Sequence, residues 1–433
     1  MKIVLILIGL ICALSSSALA EDYIPITPFI KKIPIAIPAF KQVSGTAAEK
    51  GLATETHQLM TETLSYTGYF KFVDPKAFLE EPARNGIVAA KINFANWKGI
   101  GAELLITTGI RVRKDRLALE FRLFDAFKER MLVGKVYKGN TTESRIMVRR
   151  FCSEVILRLT GSPGIFDSKI AYLDTKSGHK EVMICDFDGF NPQQITTDKS
   201  ICLSPAWSSD GQWLAYTSYV KGKPDLYIRN LWNQEGWEVN FDGLNITPAW
   251  IPGKFELAAT LSFSGDQEIY RLTGRGKMIK RLTNKWGIDV SPSFSPDGSR
   301  MAFVSNRSGS PQIYIRDMQT EKVQRLTFEG KYNTSPSWSP KDDKIAYAGM
   351  EKGVTNIFVI KTDGSGLMQL TAHSGSNESP SFSPDGTLIA FSSTREGKSR
   401  IYVMTAFGTD QRRVTSGKGE QSNPKWSPAV IRK

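Results

Sequence analysis

From about residue 165 onward, short apolar runs alternate with polar positions at a period of two and are separated by turn residues, the pattern of many short strands. One unit displays it in full: Ser291-Pro-Ser-Phe-Ser-Pro296, Arg300-Met-Ala-Phe-Val-Ser305, Gln312-Ile-Tyr-Ile-Arg316 and Val323-Gln-Arg-Leu-Thr327, with Asp297-Gly298 at the first turn. Each unit carries a proline followed two residues later by an aromatic. The prolines are Pro205, Pro248, Pro292, Pro336, Pro380 and Pro424, spaced 43, 44, 44, 44 and 44 residues apart. A unit of four strands in roughly 40–45 residues is a β-propeller blade, too small to bury its apolar faces except against its neighbours.

The ends of the array predict the blade count. Lys169-Ile-Ala-Tyr172 through Gln194-Ile-Thr196 supplies the last three strands of a blade with no proline–aromatic strand before it, and Asn423-Pro-Lys-Trp-Ser-Pro428 supplies that strand alone. Five complete blades and one assembled from both ends make a six-bladed ring without exposed sheet edges. The recurring aromatics Trp207, Trp250, Phe294, Trp338, Phe382 and Trp426 read either as inter-blade packing or as a ring of ligand-stacking side chains. A fixed place in every unit favours packing.

Before the array the periodicity changes. A helix is expected from about Thr46 to Thr67, with Leu52, Leu59, Met60 and Leu64 on one side. Glu103–Val112, Leu117–Leu123 and Met131–Val136 alternate as strands, with a hairpin turn at Lys114-Asp115. Thr141-Thr142-Glu143 starts a second helix whose buried stripe is Met147, Val148, Phe151, Cys152, Val155, Ile156 and Leu159, ended by Gly161 and Pro163. The fold class expected is therefore an α+β N-terminal domain, its two helices on one face of a small sheet, followed by an all-β six-bladed propeller closed by the C-terminal strand. The divisions expected are 1–20, 21–33, 34–162 and 163–433.

Residues 1–20 read as an export signal: Met1-Lys2, an apolar stretch from Ile3 to Leu14, and Ala18-Leu19-Ala20 before Glu21-Asp22. Ile11 before Cys12 lacks the small side chain that a lipid-attachment signal needs, and nothing later is apolar enough to span a bilayer. The segment after the signal, Glu21-Asp22-Tyr23-Ile24-Pro25-Ile26-Thr27-Pro28-Phe29, reads as an extended tail. It is more apolar than a solvated linker needs, so it is either inert or able to add as a strand to a partner's sheet.

The net charge of +13 makes anionic envelope partners more apt than nucleic acid for an exported chain, or else simply solvates the outer strands. Cys152 reads as a small buried hydrophobe, and a Cys185–Cys202 bridge is compatible with an oxidising compartment. No catalytic chemistry is legible. His57, His179 and His373 are isolated, with no metal-ligand spacing, serine elbow or phosphate loop, so no metal or cofactor is expected. Asp210, Asp297 and Asp385 each precede a glycine at equivalent turns, where hairpin chemistry explains them.

The repeated Ser-Pro-Ser-Phe-Ser-Pro-Asp-Gly of Ser291–Gly298 and Ser379–Gly386 resembles the blades of the TolB family. Pro34-Ile-Ala-Ile-Pro38-Ala-Phe40, Trp97-Lys-Gly-Ile-Gly-Ala-Glu103 and Phe121-Arg-Leu-Phe-Asp125 are similar to successive motifs of that family's N-terminal domain. Ile251-Pro-Gly-Lys254 and Pro340-Lys-Asp-Asp343 depart from the blade motif, and the tail shares little beyond its position. The resemblance implies a non-enzymatic periplasmic adaptor of the Tol–Pal system, supporting outer-membrane integrity and constriction at cell division and open to subversion by colicins. It implies that the peptidoglycan-associated lipoprotein Pal binds at the propeller mouth and that TolA binds the tail through Glu21, Asp22, Tyr23, Ile24 and Pro25. Residues just before each blade's first strand fall on one rim, so the expected Pal site comprises Asn245, Thr247, Asp289, Val290, Ser291, Asn333, Ser335, Asn377 and Ser379, unless these polar side chains merely cap strand starts. The rival readings are a glycan- or peptidoglycan-binding propeller and a peptidase-related propeller, the latter lacking residues for a hydrolase domain.

Overall fold

The computed structural model describes residues 32–429. Six four-stranded antiparallel sheets are arranged as blades, and the first strand of each contacts the first strand of the next around a closed circle. In chain order these first strands are Cys202–Trp207 (blade 1), Asn245–Trp250 (blade 2), Asp289–Phe294 (blade 3), Tyr332–Trp338 (blade 4), Asn377–Phe382 (blade 5) and Gln421–Trp426 (blade 6). Blade 6 is composite. Gln421–Trp426 pairs antiparallel with Lys169–Asp174, in the register Trp426 to Ile170 and Gln421 to Asp174, and Glu181–Asp186 and Gln193–Gln194 complete the sheet.

The recurring aromatics lie between blades. Trp250, Phe294, Trp338, Phe382 and Trp426 are buried, each in a cluster that draws side chains from neighbouring sheets. Trp207 is half-buried, and its Nε1–H donates to the Lys425 carbonyl at 3.0 Å, joining blade 1 to blade 6. The amides of Trp338, Phe382 and Trp426 donate to the Oγ of Ser293, Ser337 and Ser381 in the preceding blade, at 3.0, 3.2 and 2.9 Å. The aromatic ring is therefore inter-blade packing.

The N-terminal domain is built on strands Leu104–Arg113, Arg116–Asp125 and Arg130–Asn140, joined by tight hairpins. The long helices Ala47–Ser65 and Ser144–Thr160 cover one face. Thr46 Oγ1 caps the first helix by accepting the Glu49 amide, and Asn140 with Glu143 forms a capping box before the second. Gly161, at φ 76°, ends the second helix in the left-handed conformation. Two features go beyond the sequence reading. Ile33–Ala36 and Phe70–Phe72 extend the sheet as parallel strands, and the segment from Pro75 to Gly99 packs Phe94 and Trp97 on Leu105 and Phe124, covering part of the second face.

This domain docks on the hairpin loops between third and fourth strands. Arg149 pairs with Asp186 and Asp188 at 2.7 and 2.8 Å, and Lys169 meets Asp186 at 2.9 Å. Tyr66 packs edge-on to Phe187, while Arg412 lies over the Tyr66 ring and donates to the Ser65 carbonyl at 3.0 Å. Despite burial, bonds from Lys169 and Arg149 hold the Asp186 carboxyl below the usual carboxylate range. Antiparallel topology puts the loops before each first strand, and those between second and third strands, on the opposite rim. That rim faces away from the docked domain.

Cys152, Cys185 and Cys202 are all buried free thiols, so the Cys185–Cys202 bridge is not formed. Cys185 faces the core shared with the helices, whereas Cys202 faces blade 6 in a separate cluster, so the strands hold their side chains apart. Burial pushes both thiols up to about 12.

Because closure rests on one strand, a chain ending at Glu420 should lose cooperative unfolding of the ring. Trp426→Ala should cost about 3–5 kcal/mol, removing a buried ring whose Nε1–H also donates to Ser168 Oγ at 2.7 Å. Denaturant titration beside the full chain is the measurement, and equal midpoints would place closure elsewhere.

Candidate functional site

The free rim is organised by a repeated backbone device. In every blade the first strand breaks register with the second, and the residue before the proline adopts a left-handed backbone: Ser204, Thr247, Ser291, Ser335, Ser379 and Asn423, at φ 49° to 57°. Such a conformation costs a non-glycine residue about 1–2 kcal/mol, and its recurrence marks it as part of the architecture. The proline that follows has no N–H to leave unpaired at the bulge. The Thr247 hydroxyl bonds locally: its Oγ1 lies 2.9 Å from Thr260 Oγ1 and accepts the Ser291 amide at 3.3 Å.

The residues three before each proline prove structural, which corrects the expectation that they line the mouth. Asn245, Asp289, Asn333 and Asn377 are buried beneath the loops, as are Cys202 and Gln421. Asn333 Nδ2 donates to Gln312 Oε1 at 2.9 Å and to the Glu329 carbonyl at 2.8 Å. Asn245 binds Asp225 and the Phe241 carbonyl, Asn377 binds Asn356 and the Gly375 carbonyl, and Gln421 binds Asp174 and the Ser416 carbonyl. Each staples the incoming loop to an adjacent strand. The cause is geometric: at the start of an inner strand a short amide reaches the loop's own carbonyls before it reaches solvent. Of the expected set, Thr247, Val290, Ser291, Ser335 and Ser379 remain partly accessible. Glu21, Asp22, Tyr23, Ile24 and Pro25 lie outside the described residues.

What the rim presents to solvent comes from positions that do not repeat. Trp286 is 86% exposed and Phe328 70%, on the loops entering blades 3 and 4, with Ile288 and Tyr332 beside them in sequence. Two arginines are fixed in equivalent positions: Arg307 binds Asp289 and Ser305 Oγ over the Phe303 and Tyr314 rings, and Arg395 binds Asn377 and Ser393 Oγ over Phe391 and Tyr402. Ring faces and hydrogen bonds hold both guanidiniums without consuming all their donors. Sequence reasoning passed over these residues, although Ser305-Asn-Arg307 and Ser393-Thr-Arg395 share a spacing and Trp286 and Phe328 are large aromatics in loops.

The other candidates resolve into structure. Asp297 Oδ1 accepts the Ser295 hydroxyl at 2.6 Å and the Ser299 amide at 3.0 Å, bonds that hold the Asp297 carboxyl far below the usual range, and Asp385 Oδ1 accepts the Ser383 hydroxyl at 2.6 Å and the Thr387 amide at 3.0 Å. His57 Nε2 lies 2.8 Å from the Ile37 carbonyl, packed edge-on to Phe40. His179 and His373 are exposed and apart. Among the described residues no group of three or more His, Cys, Asp or Glu could hold a metal ion.

If the staple reading is right, Asn333→Ala should lower stability by roughly 1–3 kcal/mol, because the Glu329 carbonyl loses its buried donor. An unchanged denaturation midpoint would return Asn333 to the binding surface.

The TolB beta propeller domain model matches residues 156–430, and the TolB amino-terminal domain model matches residues 23–132. The chain is 57% identical over 284 residues to the Tol-Pal system protein TolB of Desulfosudis oleivorans, covering 65% of each chain. It is 43% identical over 246 residues to a protein TolB homolog of Chlorobaculum tepidum, covering 56% of this chain and 55% of that one. The chain thus spans less than two thirds of the length of these relatives. The crystal structure of TolB from Acinetobacter baumannii superposes with a TM-score of 0.79 at 27% identity, over 92% of this chain and 97% of that one. With the two domain models matching in order over most of its length, the chain belongs to the TolB family.

Proposed function

We propose that this chain is a periplasmic, non-enzymatic adaptor of the Tol–Pal system. In this reading it binds Pal at the free propeller mouth and TolA through the tail at Glu21–Pro25, supporting outer-membrane integrity and constriction at division. The observation that carries the reading is the mouth itself: exposed aromatics and two immobilised arginines stand on the rim opposite the docked domain, beside an axis ringed by first strands. Large exposed aromatics and arginine are the side chains that most often anchor protein–protein contacts. The names of the relatives supply the system to which such a partner would belong. The structural hydrogen bonds that engage His57, Asp297 and Asp385 support reading them as parts of the adaptor's framework.

Trp286→Ala should weaken binding of soluble Pal at least about tenfold, or 1.4 kcal/mol, by calorimetric titration. Its melting temperature should not change, because the ring is 86% exposed and makes little contact with the core. Wild-type affinity in both Trp286→Ala and Phe328→Ala would move the site off this rim. Deleting residues 21–29 should abolish TolA binding in the same assay while leaving Pal affinity intact, and retained TolA affinity would end the tail assignment.

A further inference from the structure

Among the described residues, the second face of the N-terminal sheet is covered only at one end. There Leu105 and Phe124 lie under Phe94 and Trp97, and Thr107 Oγ1 donates to the Ile87 carbonyl at 2.9 Å. Further along the same strands the cover stops and the face turns basic. The register places Arg111, Ala118 and Lys138 in one row and Arg113, Arg116 and Asn140 in the next. Lys41 and Lys91 approach from the neighbouring strand and loop, around a cavity of about 440 Å3 that continues into a second one beside Arg113 and Arg116.

Charge of this density carries a cost. Arg113 and Arg116 stand directly opposite each other, a like-charge pairing that destabilises a sheet. Among the described residues none of Lys91, Arg111, Arg113, Arg116 and Lys138 has an ion-pair partner, while Glu120 on the same face is taken by Arg122. The cations also do not converge. They are spread over three strands and a loop, with neighbouring strands about 4.8 Å apart, and Val43, Val88 and Val136 stand exposed among them. A cradle for one anion would gather its donors on one point, and a peptide reader would offer amide and hydroxyl partners for a backbone. Exposed valines interspersed with unpaired cations on a shallow face instead match the boundary between phosphate headgroups and acyl chains.

We propose that this face seats on an anionic phospholipid surface, its arginines and lysines contacting headgroup phosphates and its valines entering the interface. The contact leaves the propeller mouth free and does not depend on the adaptor reading.

The test is flotation of the full chain with phosphatidylglycerol–phosphatidylcholine vesicles and with pure phosphatidylcholine vesicles. Three proteins are compared: wild type, the quadruple variant Arg111→Glu, Arg113→Glu, Arg116→Glu and Lys138→Glu, and an equally charged control. The control is Lys254→Glu, Lys277→Glu, Lys322→Glu and Lys341→Glu, all exposed on propeller loops. Wild type should partition onto the anionic vesicles and the sheet-face variant should lose at least about tenfold, with the control within about threefold of wild type. Should the quadruple variant fail to fold, the pair Arg111→Gln and Lys138→Gln reads the same effect at smaller size, with the melting temperature as the check. Equal losses in variant and control would reduce the binding to net charge and overturn the proposal. So would failure of wild type to bind the anionic vesicles.

Discussion

The arrangement depends on one strand pairing. Gln421–Trp426 completes the sheet that begins at Lys169, so residues some 250 positions apart share a ladder, which the bond from the Ser427 amide to the Lys169 carbonyl at 2.8 Å continues. Without it, Ile170 and Leu173 would stand on an open edge and the first strands of blades 1 and 5 would each lose a neighbour. A blade cannot bury both faces alone, so the pairing holds every other interface under the same constraint. It also keeps the loop rim circular, and it anchors the N-terminal domain, since Asp186 and Phe187 belong to the composite blade.

Repetition and function divide cleanly on this scaffold. The left-handed bulge, the proline and the inter-blade aromatic recur in all six blades and a buried amide in four, and these features turn the strand, pack the blade and tie down the loop. Chemistry available to a partner is found where the repeat is broken. Trp286 and Phe328 have no counterpart at equivalent positions in the other loops, and Arg307 and Arg395 occur in two blades of six. In the N-terminal domain the same logic applies to a sheet face: where Pro75–Gly99 stops covering it, the apolar alternation gives way to arginine and lysine.

Much of this was legible from the chain. The blade period, the composite closure and the two long helices come from periodicities of 44, 2 and 3.6 that local sequence carries undiluted. The parallel strands were not legible, because Phe70–Phe72 is three residues long and Ile33–Ala36 sits among prolines, and only the tertiary register pairs them. The rim was half legible. Position in the repeat located the loops correctly, but an asparagine that caps a loop and one that greets a partner look alike in sequence, and burial decided between them. Cys185 and Cys202 lie 17 residues apart in sequence but on opposite sides of their sheets, which spacing cannot reveal.

The most direct test of the closed ring is native-state hydrogen exchange at the amides of Ile170, Ala171, Tyr172 and Leu173. These amides lie between Gln421–Trp426 and Glu181–Asp186, so a closed ring predicts exchange only through global unfolding, with the same opening free energy as the second strands of blades 1 to 5. Markedly faster exchange confined to Lys169–Asp174, with the other blades protected, would show that the ends of the array do not close the ring.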